Sequence, residues 1–193
     1  MALLRRAISS IKAENFDPLD SISSFQTAGN GSLADQSLEL SLICLEAGAT
    51  LTGMVVPTAA NGNFTGNNNN KVGLYTSNGT TLTKVAESAN NANIWKGGTN
   101  AAQLIPFTTP YVAAAGRLYG AYLYCRSAQT TAPSVPIRSG TVGGSTPGAL
   151  YNLMLGRTGH FRAGTLAAQT DLPSSILVSA IVNSGTIPYM GVY

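Results

Sequence analysis

From Lys71 to Cys125 the chain reads KVGLYTSNGTTLTKVAES, then a loop carrying Trp95, then QLIPFTTPYVAAAGRLYGAYLYC. Short β-branched and aromatic runs, broken by Asn, Gly and Thr, leave little room for anything but antiparallel strands and turns. Residues 71–76 and 80–88 flank Ser77-Asn78-Gly79, and Asn-Gly between two strand-like runs is the strongest short-range hairpin signal. In RLYGAYLYC one face takes Leu118, Gly120, Tyr122 and Tyr124, and the other takes Tyr119, Ala121, Leu123 and Cys125. Both faces are apolar or aromatic, so this strand is expected at the centre of a sheet and covered on both sides, with a neighbouring subunit as one way to cover the second.

Further strand-like runs occupy SLELSLICL, residues 50–56 closed by Pro57, 103–107, 151–155, 175–182 and 187–193, about nine in all. Many short strands separated by Gly, Pro and Asn predict an all-β fold, an antiparallel β-sandwich with jelly-roll-like connections. The Asn-rich segment 59–70 is expected to be an exposed loop, because it lacks the apolar residues to bury its amides. Residues 133–148, rich in Pro, Gly, Ser and Thr, are expected to run irregularly over the rim, a place for ligand or partner contact.

Ahead of the strands, Leu4, Ile8 and Ile11 recur at helical spacing with Arg5, Arg6 and Lys12 on the other side. That pattern predicts a short amphipathic helix, which at a dozen residues needs a surface to pack on. Pro18, several serines and Gly29-Asn30-Gly31 then mark an extended linker with Phe16, Leu19, Ile22 and Phe25 as apolar anchors. The expected organisation is an extended and short-helical attachment arm, 1–32, followed by one sandwich domain, 33–193. If fully covered by a partner, Leu4, Ile8, Ile11, Phe16 and Phe25 would each contribute roughly 1.5–3 kcal/mol to docking.

Charged residues make up only 10% of the 193 residues and apolar residues 44%, against about 25% charged in an ordinary globular protein. A surface this poor in charge suits packing into an assembly. Residues 1–46 hold three basic and six acidic side chains, and the remainder hold eight basic and two acidic ones. The basic residues stand singly, without the clustering of a nucleic-acid face, so no nucleic-acid partner is expected. No run approaches the length of a membrane span, and no membrane insertion is expected. Cys44 and Cys125 lie in apolar strand-like runs and read as buried free thiols, because no signal peptide points to the oxidising compartment a disulfide would need.

Candidate chemistry is sparse. His160 sits between Arg157 and Arg162, which would depress its pKa, and it lacks a neighbouring carboxylate apart from Asp171. No G-x-S-x-G elbow, phosphate loop or zinc-ligand set occurs. Glu87 and Asp171, the only acids beyond residue 46, suit ordinary turns. No catalytic residue, metal or cofactor is therefore expected. Trp95, in NANIWKGGTN, admits two readings: a sugar-stacking platform, with Tyr111 and the Asn-rich loop beside it, or a plug folded into the core.

The pattern GLY–turn–a-x-S, single-Trp loop, IPFTTPYVAAAG and Tyr-rich strand, followed by LPSSI and IPYMGVY, resembles a β-sandwich module of tailed-bacteriophage virion surface proteins. Those are minor tail, fibre-like and capsid decoration proteins of phages infecting actinobacteria, and the resemblance spans about residues 35–193. It implies a non-enzymatic virion protein, a capsid decoration or head/tail appendage subunit. Its partners would be major capsid or tail proteins and symmetry-related copies. The second reading is a carbohydrate- or host-receptor-binding module of a tail fibre or tail tip, contacting a host surface glycan. The resemblance transfers no catalytic residue.

Overall fold

The computed structural model describes residues 13–14, 29–45, 48–67, 69–114, 116–139, 163–184 and 186–193. Sixteen strands are described: β1 (Ala13–Glu14), β2 (Gly29–Ser32), β3 (Ser37–Leu45), β4 (Thr50–Thr58), β5 (Asn63–Gly66), β6 (Lys71–Ser77), β7 (Thr81–Glu87), β8 (Ala101–Val112), β9 (Gly116–Tyr124), β10 (Arg126–Thr131), β11 (Ser134–Ser139), β12 (Ala163–Leu166), β13 (Ser175–Leu177), β14 (Val182–Asn183), β15 (Thr186–Pro188) and β16 (Gly191–Val192). Every strand pairing is antiparallel. The all-β sandwich expected from the sequence is the fold observed.

One layer is a seven-stranded sheet ordered β13-β7-β6-β9-β3-β12-β14; across from it lie β1-β16-β4-β8, β15-β11-β2 and the ribbon β10-β5. At its centre β9 runs against β3 from Ser37–Tyr124 to Leu45–Gly116 without a register shift. The period of two along β9 then splits its side chains between two cores. Leu118, Tyr122 and Tyr124 join an inner core with Met54, Val56, Trp95, Ile105, Val135 and Val192 from the facing sheets and loops. Tyr119, Ala121, Leu123 and Cys125 join an outer core with Leu38, Leu40, Tyr75, Leu82, Leu172 and Ile176. At Gly120 the layers approach so closely that a Cβ would lie 2.5 Å from Met190 Sδ and 2.9 Å from Ile43 Cδ1, which is why the apolar row of β9 is interrupted there.

The outer core is covered by the chain itself, not by a neighbouring subunit. Strands β13 and β14 stand at opposite edges of the seven-stranded sheet, roughly 29 Å apart if it were flat. Only five Cα steps separate Leu177 from Val182, at most about 18 Å. The sheet therefore curls until its edges approach, and Leu172, Ile176, Val178 and Ile181 close the apolar space inside. A strand covered by its own sheet and by the segment from Leu172 to Ile181 needs no second molecule on that face.

Three other expectations change. Within 59–70, Asn63–Gly66 forms β5 against β10, Phe64 is buried, and Asn70 is fully buried. The amide of Asn70 takes over backbone work: its Nδ2 donates to the carbonyls of Asn67 and Cys125, both at 2.9 Å, and its Oδ1 accepts the Cys125 N–H at 3.0 Å. A buried amide whose partners are all present carries little penalty. Second, β11 replaces the first part of the irregular path expected at 133–148, whose residues 140–148 lie outside the described ones, and Pro136 is accommodated because it presents only a carbonyl, accepting the Tyr189 N–H at 3.1 Å. Third, the run 103–107 extends to all of Ala101–Val112. The strand expected at 151–155 lies outside the described residues.

Two strands come from the part read as an arm. Ala13–Glu14 pairs with Val192–Gly191 at the edge of the four-stranded sheet, and Gly29–Ser32 pairs with β11. The amphipathic segment before Ala13 lies outside the described residues.

Candidate functional site

The loop from Ala89 to Asn100 carries Trp95 at the end of a short 3-10 turn, Ala92–Trp95. Asn91 starts the turn, its side-chain oxygen accepting the Asn93 N–H at 2.9 Å. The indole then points inward and is fully buried. Its ring meets Tyr122 edge-on at 5.2 Å and Tyr124 at 6.5 Å, while Phe64 packs at right angles on Tyr124 at 4.8 Å. Edge-to-face packing of this kind adds to the area each ring buries. Gln103 ties the turn to β4, its Nε2 donating to Thr58 Oγ1 at 2.8 Å and to the Ile94 carbonyl. Outside, the Lys96 ammonium covers the Phe64 ring at 4.5 Å. Of the two readings of Trp95, the core plug holds: neither face of the indole is open to a sugar. Tyr111 is half-buried against the same core, so the two aromatic candidates belong to the packing of one cluster.

The docking candidates Leu4, Ile8, Ile11, Phe16 and Phe25 lie outside the described residues. What is described is the anchor between them, β1, fixed to β16 by Ala13 and Glu14.

The concentration of charge lies elsewhere, where β6, β7 and the segment after Thr170 meet. Lys71 Nζ stands 2.8 Å from Asp171 Oδ1 and 3.2 Å from Glu87 Oε2, and Lys84 Nζ reaches the same Glu87 oxygen at 3.1 Å. Lys84 also donates to the Leu172 carbonyl at 2.8 Å, and Tyr75 Oη donates to the Pro173 carbonyl at 2.9 Å. Burial works against the Lys71 charge, but hydrogen bonds and attraction from Asp171 and Glu87 outweigh it and raise its pKa. Burial likewise pushes Asp171 up, and the Lys71 hydrogen bond, the Leu172 amide and the two lysine charges more than reverse it, holding the carboxyl below its ordinary value. Both groups of the closest pair are thus fixed in their charged forms across the neutral range, an arrangement that holds chain segments together and suits neither as a proton donor or acceptor there.

Sequence reasoning missed this cluster, treating the lysines as isolated and the two acids as turn residues. The β6–β7 hairpin brings Lys71 and Glu87 to the same end of adjacent strands, a signal present in the Asn78-Gly79 turn. Asp171 arrives from about a hundred residues away along the chain, with no local sign of it.

Two titratable groups stand apart. Glu39, on β3 beside Tyr122, is pushed up to about 7 by burial, and a 3.3 Å hydrogen bond from Ser37 Oγ offsets this only in part. Cys125 is a free thiol pushed up to about 11 by burial and by the charges of Asp35 and Asp171, so it stays protonated and unreactive at neutral pH. Its backbone position and that of Cys44 fall at opposite ends of the β3–β9 pair. His160 lies outside the described residues. Among the described residues no three metal-ligating side chains converge, and no helix is long and apolar enough to cross a membrane.

Comparison with known proteins finds no matching family model and no matching curated protein.

Proposed function

We propose that the chain is a non-enzymatic structural subunit of a phage virion, a capsid decoration or head/tail appendage protein that docks through its N-terminal arm and displays the β-sandwich. The observation that carries this reading is the anchor at Ala13–Glu14. It is hydrogen-bonded to the C-terminal strand at a sheet edge, so the amphipathic residues before it start from a fixed point on the body. A short apolar segment tethered at a rigid edge binds without first ordering its base, which favours docking.

Two further observations agree with it. Lys71, Lys84, Glu87 and Asp171 engage one another, and Trp95 and the tyrosines of β9 are spent on packing. The virion-protein resemblance of residues 35–193 supplies the assembly: capsid or tail proteins and symmetry-related copies as partners, the virion as location. The glycan-binding alternative loses its principal residue, since Trp95 is fully buried.

Deleting residues 1–12 leaves β1 in place and tests the role directly. The truncated protein is expected to melt at the same temperature as the full chain and to be missing from purified particles. Normal occupancy of the truncated protein on particles would overturn the assignment.

A further inference from the structure

Residues 169–183 cross the mouth of the curled sheet, and their two ends are held very differently. At the first end the Gln169 N–H donates to the Gln36 carbonyl at 2.9 Å and Asn69 Nδ2 donates to the Thr170 carbonyl. Asp171 pairs with Lys71, the Leu172 and Pro173 carbonyls accept from Lys84 and Tyr75, and the Ser174 carbonyl accepts the Lys84 N–H at 2.9 Å. Leu172 and Ile176, each 3% exposed, are buried in the outer core just below these contacts. At the far end β14 offers two residues, Val182 and Asn183, to Thr165 and Gly164, and the Ser184 N–H reaches the Ala163 carbonyl at 3.0 Å. Val182 is 67% exposed, so β14 itself contributes little apolar burial.

We infer that the curled sheet has a hinged seam: the β14 end of the strap peels from β12 while the 169–176 end stays latched by Lys71, Lys84 and Tyr75. Local opening follows local deficits in buried apolar contact and in protected hydrogen bonds, and both deficits fall on the same side here. Peeling exposes the backbone edge of β12 together with Leu166 and Ile181, which pack on the outer core. An unpaired strand edge flanked by apolar side chains is a template for a further strand. The latch confines the opening to one side and keeps Leu172 and Ile176 seated.

The groups facing Asp171 are Lys71, Tyr75, Lys84, Glu87 and the end of β9 at Cys125. The attractive contacts come from the two lysines, so the latch weakens as acid protonates the carboxyl, below the ordinary aspartate range.

Native-state hydrogen exchange on the full chain tests the seam. In the wild type, amides of 182–184 are expected to exchange at least about tenfold faster than Lys84 and Val178, the amides that join β7 to the strap. In Asp171→Asn, the amides of Leu172 and of 174–178 should accelerate roughly three- to tenfold while Leu118 to Leu123 stay unchanged. Exchange of 182–184 at the slow rate of β9 would overturn the seam. Uniform acceleration of the whole sheet in Asp171→Asn would overturn the latch.

Discussion

The two faces of β9 are buried by different means. Toward the inner core, Tyr122 and Tyr124 meet Trp95 and residues of the facing sheets, a layer-on-layer contact of large rings with no charged participant in its centre. Toward the outer core, Tyr119 and Leu123 are covered by the bend of their own sheet and by a strap that polar groups fasten. The first solution rests on shape and area. The second depends on chain length and on a handful of ionic and carbonyl contacts, so it should loosen in acid, whereas the first answers to pH only through Glu39 beside Tyr122, and with the opposite sign.

The sharpest way to break this contrast is Trp95→Ala. Removing a fully buried indole from the ring cluster is expected to lower global stability by about 3–5 kcal/mol, measured by urea denaturation, with both faces of β9 lost in one transition. Next, Ile176→Ala should remove about 2–4 kcal/mol. Near-ultraviolet circular dichroism should show the Trp95 environment unchanged below the transition, because only the outer core is touched. A disturbed Trp95 signal in native buffer would mean that the two cores are not separately built.

Glu39 sharpens the comparison from the inner side. Its folded value lies near 7 against 4.5 for the free carboxyl, so ionisation is harder in the fold than out of it. Stability should be greatest below about pH 4.5, fall as pH rises toward 7 and stay reduced above. Glu39→Gln should flatten that slope and be the more stable form at pH 8 by about 1–3 kcal/mol. A wild-type stability that rises between pH 5 and 7 would contradict it. The smallest expected effect is Asp171→Asn: half the carboxylate surface is open to solvent, so the loss at pH 7 is about 1 kcal/mol or less. The sign is opposite to that of Glu39. The Asp171 contribution is present above the ordinary aspartate pKa and disappears as acid titrates the group below it, so variant and wild type should converge once the pH falls below the folded-state value.

What could be read in advance followed from local rules. The Asn78-Gly79 turn, the alternation of β9 and the apolar run of β3 each rest on residues within a few positions of one another, and each is where it was expected. The misjudged parts depend on distant chain. Asn70 looks like loop chemistry until the carbonyl and amide of Cys125 are placed beside it. Glu87 and Asp171 look like turn acids until Lys71 stands between them. No residue near β9 announces that Leu172 and Ile176 will cover it. Trp95 was legible as a single conspicuous ring, yet its inward direction is decided by the Asn91-capped turn and by Gln103. The arm anchors Leu4, Ile8, Ile11, Phe16 and Phe25 lie outside the described residues, so their role rests on spacing and on the fixed point at Ala13.

The short run between Leu177 and Val182 behaves as a drawstring. Two residues inserted after Val178 would slacken it by up to about 7 Å, enough for the sheet to spread and for the ring of Tyr119 to meet water. Insertions in this scaffold are thereby steered away from that stretch, however solvent-exposed it looks, and toward connections that do not set the radius of the bend.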